Sequence, residues 1–150
     1  MKFGVDALRE LYSRAELFFC NKEEAQRILA TDENDIKKLL TGMQSLGPKT
    51  VFITDGKDGA YASDGTRVLF MPSYPDPKPP LQRTGAGDAF SSTATVALAM
   101  GKDLETALKW GPINSMSVVQ QVGARAGLLT REKLEEYLKN APAEYLPKEI

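Results

Sequence analysis

The chain of 150 residues contains no histidine, and that absence removes several catalytic schemes at once. Without imidazole there is no Ser-His-Asp or Cys-His catalysis and no His-based metal site. Cysteine is almost as scarce. Cys20 stands alone, so no intrachain disulfide and no thiolate metal cluster can form. Inside the apolar run Leu17-Phe18-Phe19-Cys20 it reads as a buried structural thiol, and its isolation argues for a reducing, cytoplasmic compartment. An excess of one charge is also lacking. With 19 basic and 20 acidic residues the formal net charge is −1, so no basic surface recommends nucleic acid as a partner. No apolar run approaches membrane-spanning length, and no signal-peptide pattern follows Met1. The general bases that remain are carboxylates, lysines and tyrosines. Any metal must be a hard cation held through oxygen.

Hydrophobic residues make up 42% and charged residues 26%, a balance expected of one globular domain at this length. Hydrophobic spacing predicts helices over 4–15, 22–30 and 35–46, the last with Ile36, Leu39, Leu40 and Met43 on one face and a stop at Gly47-Pro48. Short apolar runs at 16–20 and 50–54 predict buried strands. Residues 55–59 read as a turn. Residues 60–63 and 66–71 read as a hairpin closed by the two-residue turn Asp64-Gly65. Five prolines between 72 and 80 exclude helix and central strand and predict an extended surface loop. Helices are expected over 86–101 and after Asp103, with Gly111-Pro112 kinking or breaking the second before it resumes at 113–122. Thr130 is placed to cap a last helix, with Leu129 and Leu134 as a hydrophobic staple, and Pro142 and Pro147 mark a loose tail. Strands alternating with helices imply an α/β layered domain with a mainly parallel sheet. Only two strands outside the hairpin are clear. That is few for a parallel sheet buried between helix layers, so the chain reads as part of a domain.

The strongest chemical signal is the heptad Thr84-Gly85-Ala86-Gly87-Asp88-Ala89-Phe90. A loop of small residues feeding a helix leaves backbone N–H groups unpaired at the helix start, where the dipole also favours an anion. Asp88 either complements that dipole or serves as a base beside the bound anion. Two glycines exceed what a cap requires, and backbone this bare suits close approach of a phosphate. A second feature is Asn21-Lys22-Glu23-Glu24. A capping box explains its spacing, while a functional reading places Asn21 and Glu24 at a strand end facing a metal-bound phosphate. The third is Thr54-Asp55-Gly56-Lys57-Asp58-Gly59. It follows a strand, where α/β sheets bind ligands, but it is neither a Walker loop nor a GxGxxG turn.

Taken in order, these stretches resemble the C-terminal half of a ribokinase-family (PfkB-type) carbohydrate kinase over most of the chain. Asn21-x-x-Glu24 after a strand is similar to the family's NxxE, and Val51–Gly59 to its strand and nucleotide-binding turn. Arg83–Phe90 resembles its second signature, and Asn114–Ala124 the late helix and loop that close the adenine pocket. The resemblance implies a three-layer α/β/α ribokinase-like fold, here a partial domain, using ATP and Mg2+ to phosphorylate a hydroxymethyl group of a sugar or sugar-like alcohol. It implies Asp88 as general base and the N–H groups of Gly85, Ala86 and Gly87 as an anion hole. Asn21 and Glu24 would organise Mg2+, through water, and the phosphates. Thr54, Gly56 and Gly59 would line the nucleotide, with Asn114 near the adenine. Gln82 stands where the family often carries an acid associated with a monovalent cation, which argues against such a site here. Family members are much longer than this chain, so the substrate and lid half is expected to lie outside residues 1–150. Two further readings stay open: a nucleoside or vitamin-like alcohol as acceptor, or a non-catalytic nucleotide-binding domain that forms a homodimer through exposed sheet edges.

Overall fold

Side-chain alternation along the strands sorts the core into two faces. In β2 (Thr50–Thr54) Phe52 points one way, while Val51 and Ile53 point the other. The computed structural model describes residues 5–150, and in it the Val51 and Ile53 face packs on α1 (Val5–Ser13), α2 (Lys22–Leu29) and α3 (Ile36–Ser45). Leu39, Leu40 and Met43, the stripe predicted for α3, are essentially inaccessible there. Phe52 faces α4 (Ala86–Ala99), α5 (Leu104–Val119) and α6 (Arg131–Lys139), together with Ala60 and Ala62 of β3 (Ala60–Ser63) and Leu69 and Met71 of β4 (Val68–Met71). Its ring stacks on Phe19 of β1 (Leu17–Asn21) at 4.5 Å and meets Phe90 of α4 edge-to-face at 6.1 Å. Phe52→Ala would cost about 3–5 kcal/mol at such a site. The expected three-layer α/β/α arrangement is therefore present.

The sheet runs β1-β2-β3-β4-β5, with a two-residue β5 at Lys148–Glu149. Its direction corrects the expectation of a mainly parallel sheet. Only β1 and β2 pair in parallel, and the other three pairings are antiparallel. Connection length explains this. A parallel pair needs a crossover of a dozen or more residues, and α2 with α3 supplies one between β1 and β2. The connections 55–59 and 64–67 can only reverse the chain, so the hairpin continues the same sheet.

Three local expectations also change. The hairpin loop has four residues, because Ser63 pairs with Val68. Asp64 widens it by accepting hydrogen bonds from the Thr66 N–H and hydroxyl and from the Arg67 N–H and guanidinium. Burial alone would raise its carboxyl, but those bonds outweigh it and hold the group at about 2. Pro112 does not end its helix, and α5 continues through it, buried from Trp110 to Asn114. Gly111 permits this close packing, since a Cβ there would lie 2.6 Å from the Phe90 ring. Lastly, the tail is docked. Tyr145 is 3% exposed and donates to the Lys109 carbonyl at 2.6 Å, and β5 pairs with β4. Thr130 caps α6 as expected, and Cys20 is buried, its thiol pushed up to about 12 by burial and by the charge of Glu24.

Candidate active site

The parallel pairing of β1 with β2 sets Asn21 beside Thr54 at the carboxyl ends of both strands. An ion pair between Lys22 and Asp55 at 3.4 Å ties the two ends together. Asn21 then starts α2 with a complete capping box. Its Oδ1 accepts from the Glu24 N–H at 2.8 Å, and its own N–H donates to Glu24 Oε2 at 2.8 Å. Both residues are exposed, and among the described residues neither carboxylate nor amide is drawn into the cleft described next.

After β2 the chain turns through Gly56–Asp58. Gly56 has φ +56°, and a Cβ there would meet nothing within 4 Å. Gly59 differs. At φ +110° a Cβ would run into the Met71 carbonyl and lie 2.8 Å from the Phe70 ring, so this glycine is required by β4.

The heptad forms the start of α4. Gly85 is the N-cap at φ +87°, and no side chain caps the helix. A Cβ at Gly85 would lie 2.7 Å from Ala124 Cβ, whereas one at Gly87 would meet nothing within 4 Å. The Ala86 N–H turns back to the Arg83 carbonyl at 3.3 Å. The N–H groups of Gly85, Gly87 and Asp88 have no acceptor among the described residues. Of the three donors expected to form an anion hole, those of Gly85 and Gly87 are free and that of Ala86 is turned to Arg83, while the Asp88 N–H is also free. The Asp88 side chain is exposed, and its carboxylate makes no hydrogen bond or ion pair among the described residues. Ser115 Oγ donates to the Ala86 carbonyl at 2.8 Å and so braces the first turn from α5.

A cleft of about 190 Å3 brings much of this together. Thr54, Gly56 and Gly59 line it on the β2 side, and Ala86 and Gly87 on the α4 side. Phe90, Pro112, Met116 and Val119 give it an apolar wall, and Lys57 and Arg83 supply its cations. Gly85, Asp88, Asn21, Glu24 and Asn114 do not line it. Gly85 and Asp88 flank the lining residues on the same turn. Asn114 is placed differently: it is buried, its Nδ2 donates to Thr93 Oγ1 at 2.7 Å, and its Oδ1 accepts from the Leu129 N–H at 3.0 Å. Both ends of its amide thus hold α4, α5 and the residue before Thr130 together, and its neighbours Ser115 and Met116 face the cleft instead. Sequence reasoning missed Ser73, Tyr74 and Asp76 of the proline-rich loop, whereas Ser115, Met116 and Val119 fall in the 114–124 stretch whose resemblance pointed to the adenine pocket, though only Asn114 was singled out there. Arg83 was signalled by its place beside the heptad.

No group of three or more His, Cys, Asp and Glu that could hold a metal occurs among the described residues. A hard cation would have to be held mainly by phosphate and water, with Glu24 as outer partner. The exposed Glu24 carboxylate suits that arrangement, since one oxygen serves the capping bond and the other is free to accept from a bound water.

A mixed sheet between helix layers, with an uncapped helix start and a glycine turn at one cleft, defines an α/β/α protein whose cleft lies at the carboxyl end of β2. The sequence pattern described as pfkB family carbohydrate kinase matches residues 2–131, and the chain belongs to that family. The chain is 42% identical over 94 residues to a ribokinase of Bacillus subtilis, a match covering 63% of this chain and 31% of that protein. It is 33% identical over 119 residues to a cytidine kinase of Thermococcus kodakarensis, covering 79% and 42%. Among solved structures, the Arabidopsis thaliana ribokinase complexed with ribose and ATP overlays with a TM-score of 0.79 at 25% identity, covering 87% of this chain and 43% of that one. A putative ribokinase II of Escherichia coli, in complex with ATP and Mg2+, overlays at 0.78 and 21% identity. The chain thus spans less than half the length of these relatives.

Proposed function

We propose that this chain carries the nucleotide-binding and phosphoryl-transfer part of a kinase that moves the γ-phosphate of ATP to a hydroxymethyl group of a sugar or sugar-like alcohol. The observation that carries the reading is the start of α4, where Gly87 faces open space and the backbone donors beside it are free. The apolar wall of Phe90, Met116 and Val119 would receive the nucleoside, and the first turn of α4 the polyphosphate. Gly87 N–H and its neighbours would stabilise charge on the transferring group. Asp88, exposed and unpaired on the same turn, would take the proton of the attacking hydroxyl. Mg2+ bound with ATP would offset phosphate charge, and Asn21 and Glu24 would orient its water shell.

A nucleoside acceptor is the second reading, favoured by the likeness to a cytidine kinase over 79% of the chain. More than half of each relative's length lies outside the matched region, and we assign most acceptor contacts to that length. Turnover by this chain alone is accordingly expected to be slow, since positioning of the acceptor supplies much of the rate. The test is calorimetric titration with ATP–Mg2+, followed by turnover with a panel of sugars and nucleosides. Binding of ATP–Mg2+ is expected, with weak transfer. A chain that binds no nucleotide ends the proposal, and robust transfer to a sugar ends the division between donor and acceptor halves.

A further inference from the structure

The family match ends at residue 131, yet residues beyond it pack against one wall of the cleft. The wall in question is the proline-rich loop after β4. Residues 72–80 form no helix or strand. Their prolines cannot donate backbone hydrogen bonds, so side chains must hold the loop in place. Two residues anchor it toward the cleft floor: Ser73 Oγ donates to the Gly56 carbonyl at 3.0 Å, and Gln120 Nε2 donates to the Lys78 carbonyl at 2.9 Å. Between them stands Tyr74, which lines the cleft. Its ring meets Tyr145 edge-to-face at 4.9 Å and Tyr137 at 5.8 Å, and its hydroxyl donates to the Tyr137 carbonyl at 3.1 Å. Both partners lie past residue 131. Tyr137 sits on α6, and Tyr145 is pinned to α5 through Lys109 and flanked by β5.

We infer that residues 132–150 are a positioning segment for the nucleoside end of the cleft, with Tyr137 and Tyr145 holding Tyr74 as an aromatic wall against the bound base or ribose. Tyr74, Met116 and Val119 line the same cleft as Gly87 and Arg83, and on this inference the base lies against the first three and the polyphosphate against the free N–H groups of α4. Aromatic rings with fixed orientation suit a flat nucleobase. The inference rests on the nucleotide reading of the cleft.

The test is titration of the full chain with three probes: ATP–Mg2+, adenosine and inorganic tripolyphosphate. Tyr74→Leu and Tyr145→Leu are each expected to weaken ATP and adenosine about fivefold and to leave tripolyphosphate unchanged. Tyr145→Phe keeps the ring and should restore binding to within about twofold of the parent. General destabilisation would instead weaken all three probes together. If Tyr145→Leu does not fold, the part-exposed Tyr137→Ala decides, because its backbone carbonyl survives and only the ring contact is lost. Folded variants that bind adenosine like the parent, or lose tripolyphosphate equally, overturn the inference. A parent chain that binds no ATP overturns the kinase reading itself, a separate and distinguishable result.

Discussion

Two helices start near the carboxyl ends of β1 and β2, and they treat their unpaired N–H groups in opposite ways. At α2, Asn21 and Glu24 close a reciprocal box, and the helix satisfies itself. At α4, no side chain caps the first turn, and the donors of Gly87 and Asp88 are left open beside a cleft. An uncapped helix start forgoes about 1 kcal/mol of local stability. Among the described residues, a side chain caps the first turn of α2, α3, α5 and α6, whereas α4 starts bare. The contrast also separates two kinds of acid. Glu24 is engaged with backbone, while Asp88 has no partner among the described residues.

The largest effect should follow from removing the unpaired acid. Asp88→Asn keeps the size and helical position of the side chain but cannot accept a proton. Transfer rate should fall by about 10^2 to 10^4, with ATP affinity and melting temperature nearly unchanged. A rate equal to the parent's would reduce Asp88 to a dipole partner, as Glu24 is at α2.

The two glycines of α4 divide structure from function and follow next. Gly85→Ala places a Cβ 2.7 Å from Ala124 on a residue at φ +87°. It should cost about 2–4 kcal/mol of stability in chemical denaturation. Gly87→Ala meets nothing within 4 Å, and its backbone lies inside a helix. Stability should hold or rise by up to about 1 kcal/mol. ATP affinity should nevertheless fall about tenfold, because the new methyl group stands where phosphate approaches the backbone. Unchanged ATP binding by Gly87→Ala would mean that the bare turn is not the phosphate site.

Arg83 tests the same end of the cleft by charge. It lines the cleft, is exposed, and forms no ion pair among the described residues. Arg83→Gln should weaken ATP about fivefold, most at low salt, and leave adenosine unchanged. Equal loss for both ligands would place the arginine at the nucleoside end instead.

How far the sequence reaches follows the range of the interactions involved. Helix α3 and its buried stripe were legible because periodicity and the Asp35 cap are local. The heptad was legible for the same reason, since its small residues and acid are contiguous. Tyr74 was not, because a proline-rich loop reaches the cleft only through tertiary packing, and for Met116 and Val119 the sequence flagged their stretch but not which of its residues face the cleft. Asn114 shows the converse limit. Its position in a familiar stretch suggested a ligand, but burial gave both ends of its amide to Thr93 and Leu129. The hairpin register depended on Asp64, whose four accepted hydrogen bonds outvote the simple two-residue turn. The docked tail was hidden because Pro142 and Pro147 signal looseness, while one buried tyrosine fixes the segment.

The smallest expected effect bears on the self-satisfied side of the comparison. Asn21→Ala removes the acceptor for the Glu24 N–H and should cost about 1 kcal/mol. That loss alone cannot say whether Asn21 only caps. Asn21→Ser can, because serine caps about as well as asparagine, and stability should stay within a few tenths of a kcal/mol, roughly the error of measurement. Serine is shorter, however, and would not reach a phosphate or a metal-bound water that the amide reaches. If Asn21 also orients the Mg2+ shell, the serine variant should need more Mg2+ for half-maximal ATP binding while melting like the parent. If its Mg2+ dependence matches the parent's, the box at α2 is a cap and nothing more, and the opposition between the two helix starts is complete.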